Sequence, residues 1–154
     1  MLSRNGLIVL LGIILILSIG SCKKDEVDQE ALDQELIEAY IDENNLTTTK
    51  TASGLHYIIG SSGDDNHPNY YSFIVATYEG YLLDGSVFDD GSMQLESNLG
   101  QLIPGWIEGL PYIGEGGKIK LIIPSNLGYG GMEKDGIPEY SVLVFDINLL
   151  QVYE

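Results

Sequence analysis

The only tryptophan of the chain constrains the fold more than any other residue, because of where it sits. Trp106 lies in Gln101-Leu102-Ile103-Pro104-Gly105-Trp106-Ile107-Glu108-Gly109-Leu110. Proline sets φ for the first turn of a helix, and the glycines on either side keep that helix short. A helix of this length is not stable alone, so the fold must supply a sheet for it to lie on, and Trp106 is the group it delivers there. The indole is then either an ordinary core anchor or the floor of a cavity. The choice depends on the residues brought around it.

The sheet is legible on both sides of that stretch. Ser72 to Leu83 reads as a long strand with Ile74, Ala76 and Tyr78 on one face. Asp84-Gly85 is a hairpin signal, with Ser86 to Asp89 starting the return strand. Lys118 to Ile123 alternates, Ile119, Leu121 and Ile123 pointing in while Lys118 and Lys120 point out; Ser141 to Val152 does the same through Leu143, Phe145, Ile147 and Leu149. Leu55 to Ile59 is a weaker strand, and Gly60 to Asn69 is a loop by composition. Strands crossed by one short helix predict an α+β fold with an antiparallel sheet. Ahead of it, Asp28 to Asn44 has neither Gly nor Pro and carries Ala31, Leu32, Leu36, Ile37, Tyr40 and Ile41 at helical spacing. This predicts one amphipathic helix, packed on its own domain or used for docking, followed by a polar connector from Thr47 to Thr51.

The amino terminus is of a different kind. Arg4 and the apolar run from Leu7 to Ile19 have the layout of a secretion signal. At ~1.5 Å per residue the run is too short for a ~30 Å hydrocarbon core. Ile19-Gly20-Ser21-Cys22 resembles a bacterial lipobox, in which the cysteine is acylated and becomes the first residue of the mature chain. Lys23-Lys24-Asp25-Glu26 reads as a solvated tether and resembles the lysine-plus-acid export signals of some Gram-negative surface lipoproteins. The expected organisation is a signal peptide at 1–21, a lipidated tether at 22–27, the helix and connector at 28–50, and a globular domain at 51–154. This predicts an outer-membrane lipoprotein, facing the periplasm or the cell surface, held through lipid on Cys22.

Charge and residue inventory narrow the chemistry. Seven Lys and Arg against 23 Asp and Glu give a formal net charge of -16. Phosphate backbones repel such a chain, so nucleic acid is not an expected partner. With Cys22 committed to lipid no thiol remains, and His56 and His67 lie outside the segments around Trp106, so no catalytic triad or histidine metal site is apparent. Asp64, Asp65 and Asn66 lack the glycine and later glutamate of a calcium loop. Asp89 and Asp90 are adjacent in a strand and point to opposite faces, unlike a glycosidase pair. No phosphate-binding or nucleophile-elbow motif occurs. No cofactor and no metal are expected. What remains is work done by a shaped apolar pocket with few polar groups.

From about Thr51 to Glu154 the chain resembles the FKBP-type peptidyl-prolyl isomerases. The matching pieces come in order: Tyr78-Glu79-Gly80, Leu83-Asp84-Gly85, Phe88-Asp89, Leu102-Ile103-Pro104-Gly105-Trp106 with Glu108-Gly109-Leu110, Ile123-Pro124, Leu127-Gly128-Tyr129-Gly130, Ile137-Pro138 and Leu143-Val144-Phe145-Asp146. The resemblance implies a twisted antiparallel sheet wrapped around the short helix. It also implies a pocket walled by Tyr78, Phe88, Tyr129 and Phe145, floored by Trp106 and filled in by Leu102, Ile103 and Ile137. Asp89 corresponds to the carboxylate near the substrate carbonyl, and the Ile103 amide and Tyr129 hydroxyl to the donors. The implied catalytic set is Tyr78, Asp89, Tyr129 and Phe145, and the implied substrates are proline-containing segments of envelope proteins. Macrolides that block such pockets are the implied inhibitors. The chain departs from the pattern after Phe88-Asp89, where Asp90-Gly91-Ser92-Met93 is short, has no arginine and puts methionine near an aromatic position. It departs again at Met132 to Gly136, where a histidine and another apolar residue are common. A membrane-tethered chaperone or peptide-binding module with little catalysis is the alternative expectation.

Overall fold

The computed structural model describes residues 28–154. The signal peptide, the tether and Cys22 lie outside the described residues. Helix α1, Gln29–Glu43, leads into strands β1 (Thr49–Lys50), β2 (His56–Ser61), β3 (Phe73–Leu82), β4 (Val87–Asp89) and β5 (Leu95–Asn98). The short helix α2 (Pro104–Gly109), β6 (Lys118–Ile123) and β7 (Leu143–Tyr153) complete the order. The strands form one seven-stranded sheet, β1-β2-β6-β7-β3-β4, with β5 also paired to β3. Every pairing is antiparallel. The α+β architecture read from the sequence is therefore present, together with two strands, β1 and β5, that periodicity does not mark.

The inner face of the sheet carries α2. Ile74, Ala76, Leu121, Ile123, Leu143, Phe145, Ile147 and Leu149 are buried there with Trp106 and Leu110. Helix and sheet approach closely because two positions lack side chains. A Cβ on Gly105 would sit 2.6 Å from the Ile123 side chain, and one on Gly109 2.6 Å from that of Leu121. Ordinary van der Waals contact between carbons begins at about 3.5 Å, so any larger residue would lift the helix and withdraw the tryptophan.

The outer face carries α1. Asp28 caps the helix, accepting from the Ala31 amide at 3.3 Å. Ile37 packs on Ile122, Val142 and Val144, with Tyr40 and Ile41 half-buried beside them. Leu32 and Leu36, which the periodicity places on the buried stripe, are instead 37% and 43% exposed. The residue turned inward is Asp33, 1% exposed. Its carboxylate accepts from the Ser125 amide at 2.7 Å and from Gln29 Nε2 at 2.7 Å. Gln34 adds a donation to the Gly54 carbonyl at 2.9 Å and meets His56 Nε2 at 3.2 Å. Hydrogen bonds therefore set the rotation of α1 about its axis, and the helix packs on its own sheet. Among the described residues no helix is long and apolar enough to cross a membrane.

Candidate active site

The pocket begins with two residues on β3. Tyr78 points to the inner face, and two positions on, Gly80 leaves room for rings where a side chain would collide with Phe88 and Phe145. Phe88 arrives on β4 and Phe145 on β7, where it pairs with Gly80 across the ladder. Trp106, 3% exposed, comes up from α2. The four rings pack edge to face or tilted. Trp106 meets Tyr78 at 5.1 Å and 89° and Phe145 at 5.4 Å and 85°, and Phe88 meets Phe145 at 5.5 Å and 78°. This is the preferred geometry of aromatic quadrupoles, and it fixes the rings without filling the space between them.

That space is a cavity of about 450 Å³ lined by Tyr78, Phe88, Asp89, Leu102, Ile103, Trp106, Tyr129, Ile137 and Phe145. All the residues singled out from the sequence for this site are thus in one place. Two of the polar groups, Tyr78 and Asp89, engage each other. Tyr78 donates its hydroxyl to Asp89 Oδ2. Burial, and then this hydrogen bond, push the Tyr78 pKa well above its usual value, so the phenol stays neutral and remains a donor. Asp89 Oδ1 accepts from the Gly91 amide at 3.1 Å. That turn requires glycine: φ is +61°, and a Cβ would collide with the Tyr78 carbonyl. Tyr78 and the Gly91 amide thus hold the carboxyl group in a segment that carries no arginine.

At the opposite wall the Ile103 amide precedes α2 and finds no acceptor among the described residues, and the Tyr129 hydroxyl makes no hydrogen bond among them. Both are open to a ligand. No group of three or more His, Cys, Asp or Glu that could hold a metal occurs among the described residues. An apolar cleft with open donors and a held carboxyl group can bind a planar or twisted amide.

A family model described as FKBP-type peptidyl-prolyl cis-trans isomerase matches residues 64–150. The chain belongs to this family. The FKBP-type isomerase FkpA of Escherichia coli K12 is 41% identical over 133 residues, 84% of this chain and 48% of that protein. The crystal structure of E. coli FkpA aligns with a TM-score of 0.72 at 40% identity, covering 84% of this chain and 62% of that one. A peptidyl-prolyl isomerase structure from Pseudomonas syringae aligns at 0.69 with 25% identity, covering 80% and 96%. The chain spans about half the length of the curated relatives it matches.

Four further residues line the FKBP pocket that sequence reasoning did not select: Leu95, Gln101, Lys134 and Asp135. Leu95 takes the wall next to Phe88, whereas Met93, read as the residue near an aromatic position, is 81% exposed and outside the lining. Strand β5 is responsible, because pairing of Leu95 with Ala76 fixes which side chain turns inward. Lys134 and Asp135 arrive on a tight hairpin closed by Lys134 and Ile137, whose amides and carbonyls exchange hydrogen bonds of 2.9 Å. The Asp135-Gly136 pair at its tip was the available signal, Gly136 having φ of +75°.

Proposed function

We propose that the chain is a prolyl cis-trans isomerase acting on X-Pro bonds of exported or envelope proteins. The observation that carries this reading is the Trp106 floor ringed edge to face by Tyr78 and Phe145, with the Ile103 amide and Tyr129 hydroxyl left free beside it. Rotation about an X-Pro bond must break amide resonance against a barrier of ~18–20 kcal/mol, with no covalent or proton exchange required. The twisted amide has lost part of its charge separation, so an aromatic cavity favours it over the planar form. The proline ring rests on Trp106 while Ile103 N–H and Tyr129 hold flanking carbonyls, leaving one end of the peptide free to turn. Asp89, held by Tyr78 and Gly91, faces the carbonyl that precedes proline. A thousandfold acceleration requires about 4 kcal/mol of preferential stabilisation, which a few hydrogen bonds in a dry site can supply. The double substitution Tyr129→Phe with Asp89→Ala should reduce the isomerisation rate of a proline peptide at least tenfold with the fold intact. Wild-type activity in that variant overturns the assignment of these residues, and a folded wild type that binds peptide without accelerating it favours the binding-module reading.

The catalytic set of this reading is Tyr78, Asp89, Tyr129 and Phe145, with Phe88, Leu102, Ile103, Trp106 and Ile137 contacting substrate. The isomerase domain is taken as 51–154, preceded by a leader at 1–21, a tether at 22–27 and the helical segment at 28–50. Outer-membrane attachment is through lipid on Cys22. Labelled fatty acid should enter the wild type and not Cys22→Ala, and equal labelling of the two removes the anchor from the proposal.

A further inference from the structure

The described residues contain four cations, and they differ in what surrounds them. Lys50 pairs with Glu38 at 3.5 Å and Lys120 with Asp146 at 2.7 Å. Lys118 lies on the outer face of the sheet, in the shallow depression formed with Ile58, Lys120 and Asn148. Lys134 alone lines the candidate active site. It forms no ion pair with a carboxylate among the described residues. Its Nζ lies 5.5 Å from the centre of the Tyr129 ring, within the range of a cation–π contact.

Its backbone is held on both sides. The paired hydrogen bonds to Ile137 close the hairpin, Ile137 is 6% exposed in the core, and a Cβ on Gly136 would already stand 3.3 Å from Phe88 Cβ. The ammonium is therefore delivered to the pocket rim from a fixed base. Two carboxylates line the same cavity: Asp89 is engaged by the Tyr78 hydroxyl and the Gly91 amide, and Asp135, the next residue of the hairpin, forms no ion pair with Lys134. On the proposed reading the proline ring rests on Trp106 and a flanking carbonyl is held at Tyr129, which brings the residue before proline within reach of the ammonium stacked on the Tyr129 ring.

We infer that Lys134 is a specificity-determining residue, selecting client segments with a carboxylate on the residue immediately before proline, Asp-Pro or Glu-Pro. This rests on the prolyl-peptide reading of the same pocket. The chain as a whole is strongly acidic, which disfavours acidic peptides at long range, but that field is screened within about a Debye length and is common to wild type and variant. A local contact is what separates the two.

The test is a titration of the full chain in detergent micelles with Ala-Xaa-Pro-Phe peptides, Xaa being Glu, Gln or Lys, followed by fluorescence of Trp106. The chain has one tryptophan, and it forms the pocket floor, so the signal reports occupancy whether or not the peptide is turned over. The wild type should bind the Glu peptide more tightly, relative to Gln, than does Lys134→Gln, by roughly two- to fivefold, the scale of an exposed ion pair. Lys134→Glu should reverse the order toward the Lys peptide, and the wild-type preference should shrink at ~0.5 M salt. The same Glu-to-Gln ratio in wild type and Lys134→Gln overturns the inference, as does absence of peptide binding. Retained charge selection without accelerated isomerisation supports the inference while removing the catalytic reading.

Discussion

The two faces of the sheet are built from the same strands but solve different problems. On the inner face, aromatic rings meet edge to face around a cavity, and two donors, at Ile103 and Tyr129, are left without partners. On the outer face, polar groups are matched to one another. Asp33 receives the Ser125 amide, Gln34 bridges Gly54 and His56, Tyr81 and Lys120 both donate to Asp146, and Thr48 Oγ1 meets His56 Nδ1 at 3.0 Å. Burial without closure leaves room for a ligand, whereas paired polar groups specify one docking geometry for α1.

Substitutions on each face should therefore separate stability from binding. The largest effect belongs to Trp106→Ala, which removes the floor: peptide binding should be lost and stability should fall by ~3–5 kcal/mol in denaturant titration. Binding that persists in that variant would place the ligand elsewhere. Next comes Asp33→Ala on the outer face. It leaves the Ser125 amide buried without its acceptor and should lower stability by ~1–3 kcal/mol, with the peptide Kd of the folded protein unchanged. A comparable loss of peptide affinity would mean that the two faces are coupled. Tyr78→Phe keeps the ring but releases one side of Asp89, and should slow isomerisation roughly tenfold, about 1.4 kcal/mol, with little change in melting temperature.

The smallest effect is a pH dependence confined to the outer face. Burial first, then Lys50, lowers the pKa of His56 below its usual 6.5, against an opposing effect of Glu38. The unfolded chain thus takes up the proton first as pH falls. The stabilisation is full above pH ~6.5 and is lost progressively below it, at no more than about 1.4 kcal/mol per pH unit. His56→Gln should flatten the dependence between pH 6.5 and 5, and an unchanged slope in that variant would assign it to another group.

How much of this was legible in the sequence follows the same division. The inner-face strands are readable because alternation of Ile119, Leu121 and Ile123, or of Leu143, Phe145 and Ile147, is a local signal of burial. Helix α2 is readable from Pro104 and its glycines. The pocket residues carry the family resemblance, and the fold gathers them around one cavity. The outer face is less readable, since the rotation of α1 depends on Asp33 meeting an amide distant in sequence, and no hydrophobic period records that partner. Strand β5 was missed for a related reason: Leu95 is a lone apolar residue among Gln94, Glu96, Ser97 and Asn98, and its register comes from β3. Lys134 was visible as a departure from the family pattern, but its place at the rim depends on the hairpin that Ile137 anchors.

The central claim, catalysis in the cavity floored by Trp106, is tested most directly by the cis-to-trans exchange rate of a proline tetrapeptide, measured by NMR with the full chain in detergent. Addition of a macrolide that occupies FKBP pockets provides the comparison. The account predicts acceleration that the macrolide abolishes. No acceleration by a folded protein, or acceleration untouched by a macrolide shown to be bound, would contradict it.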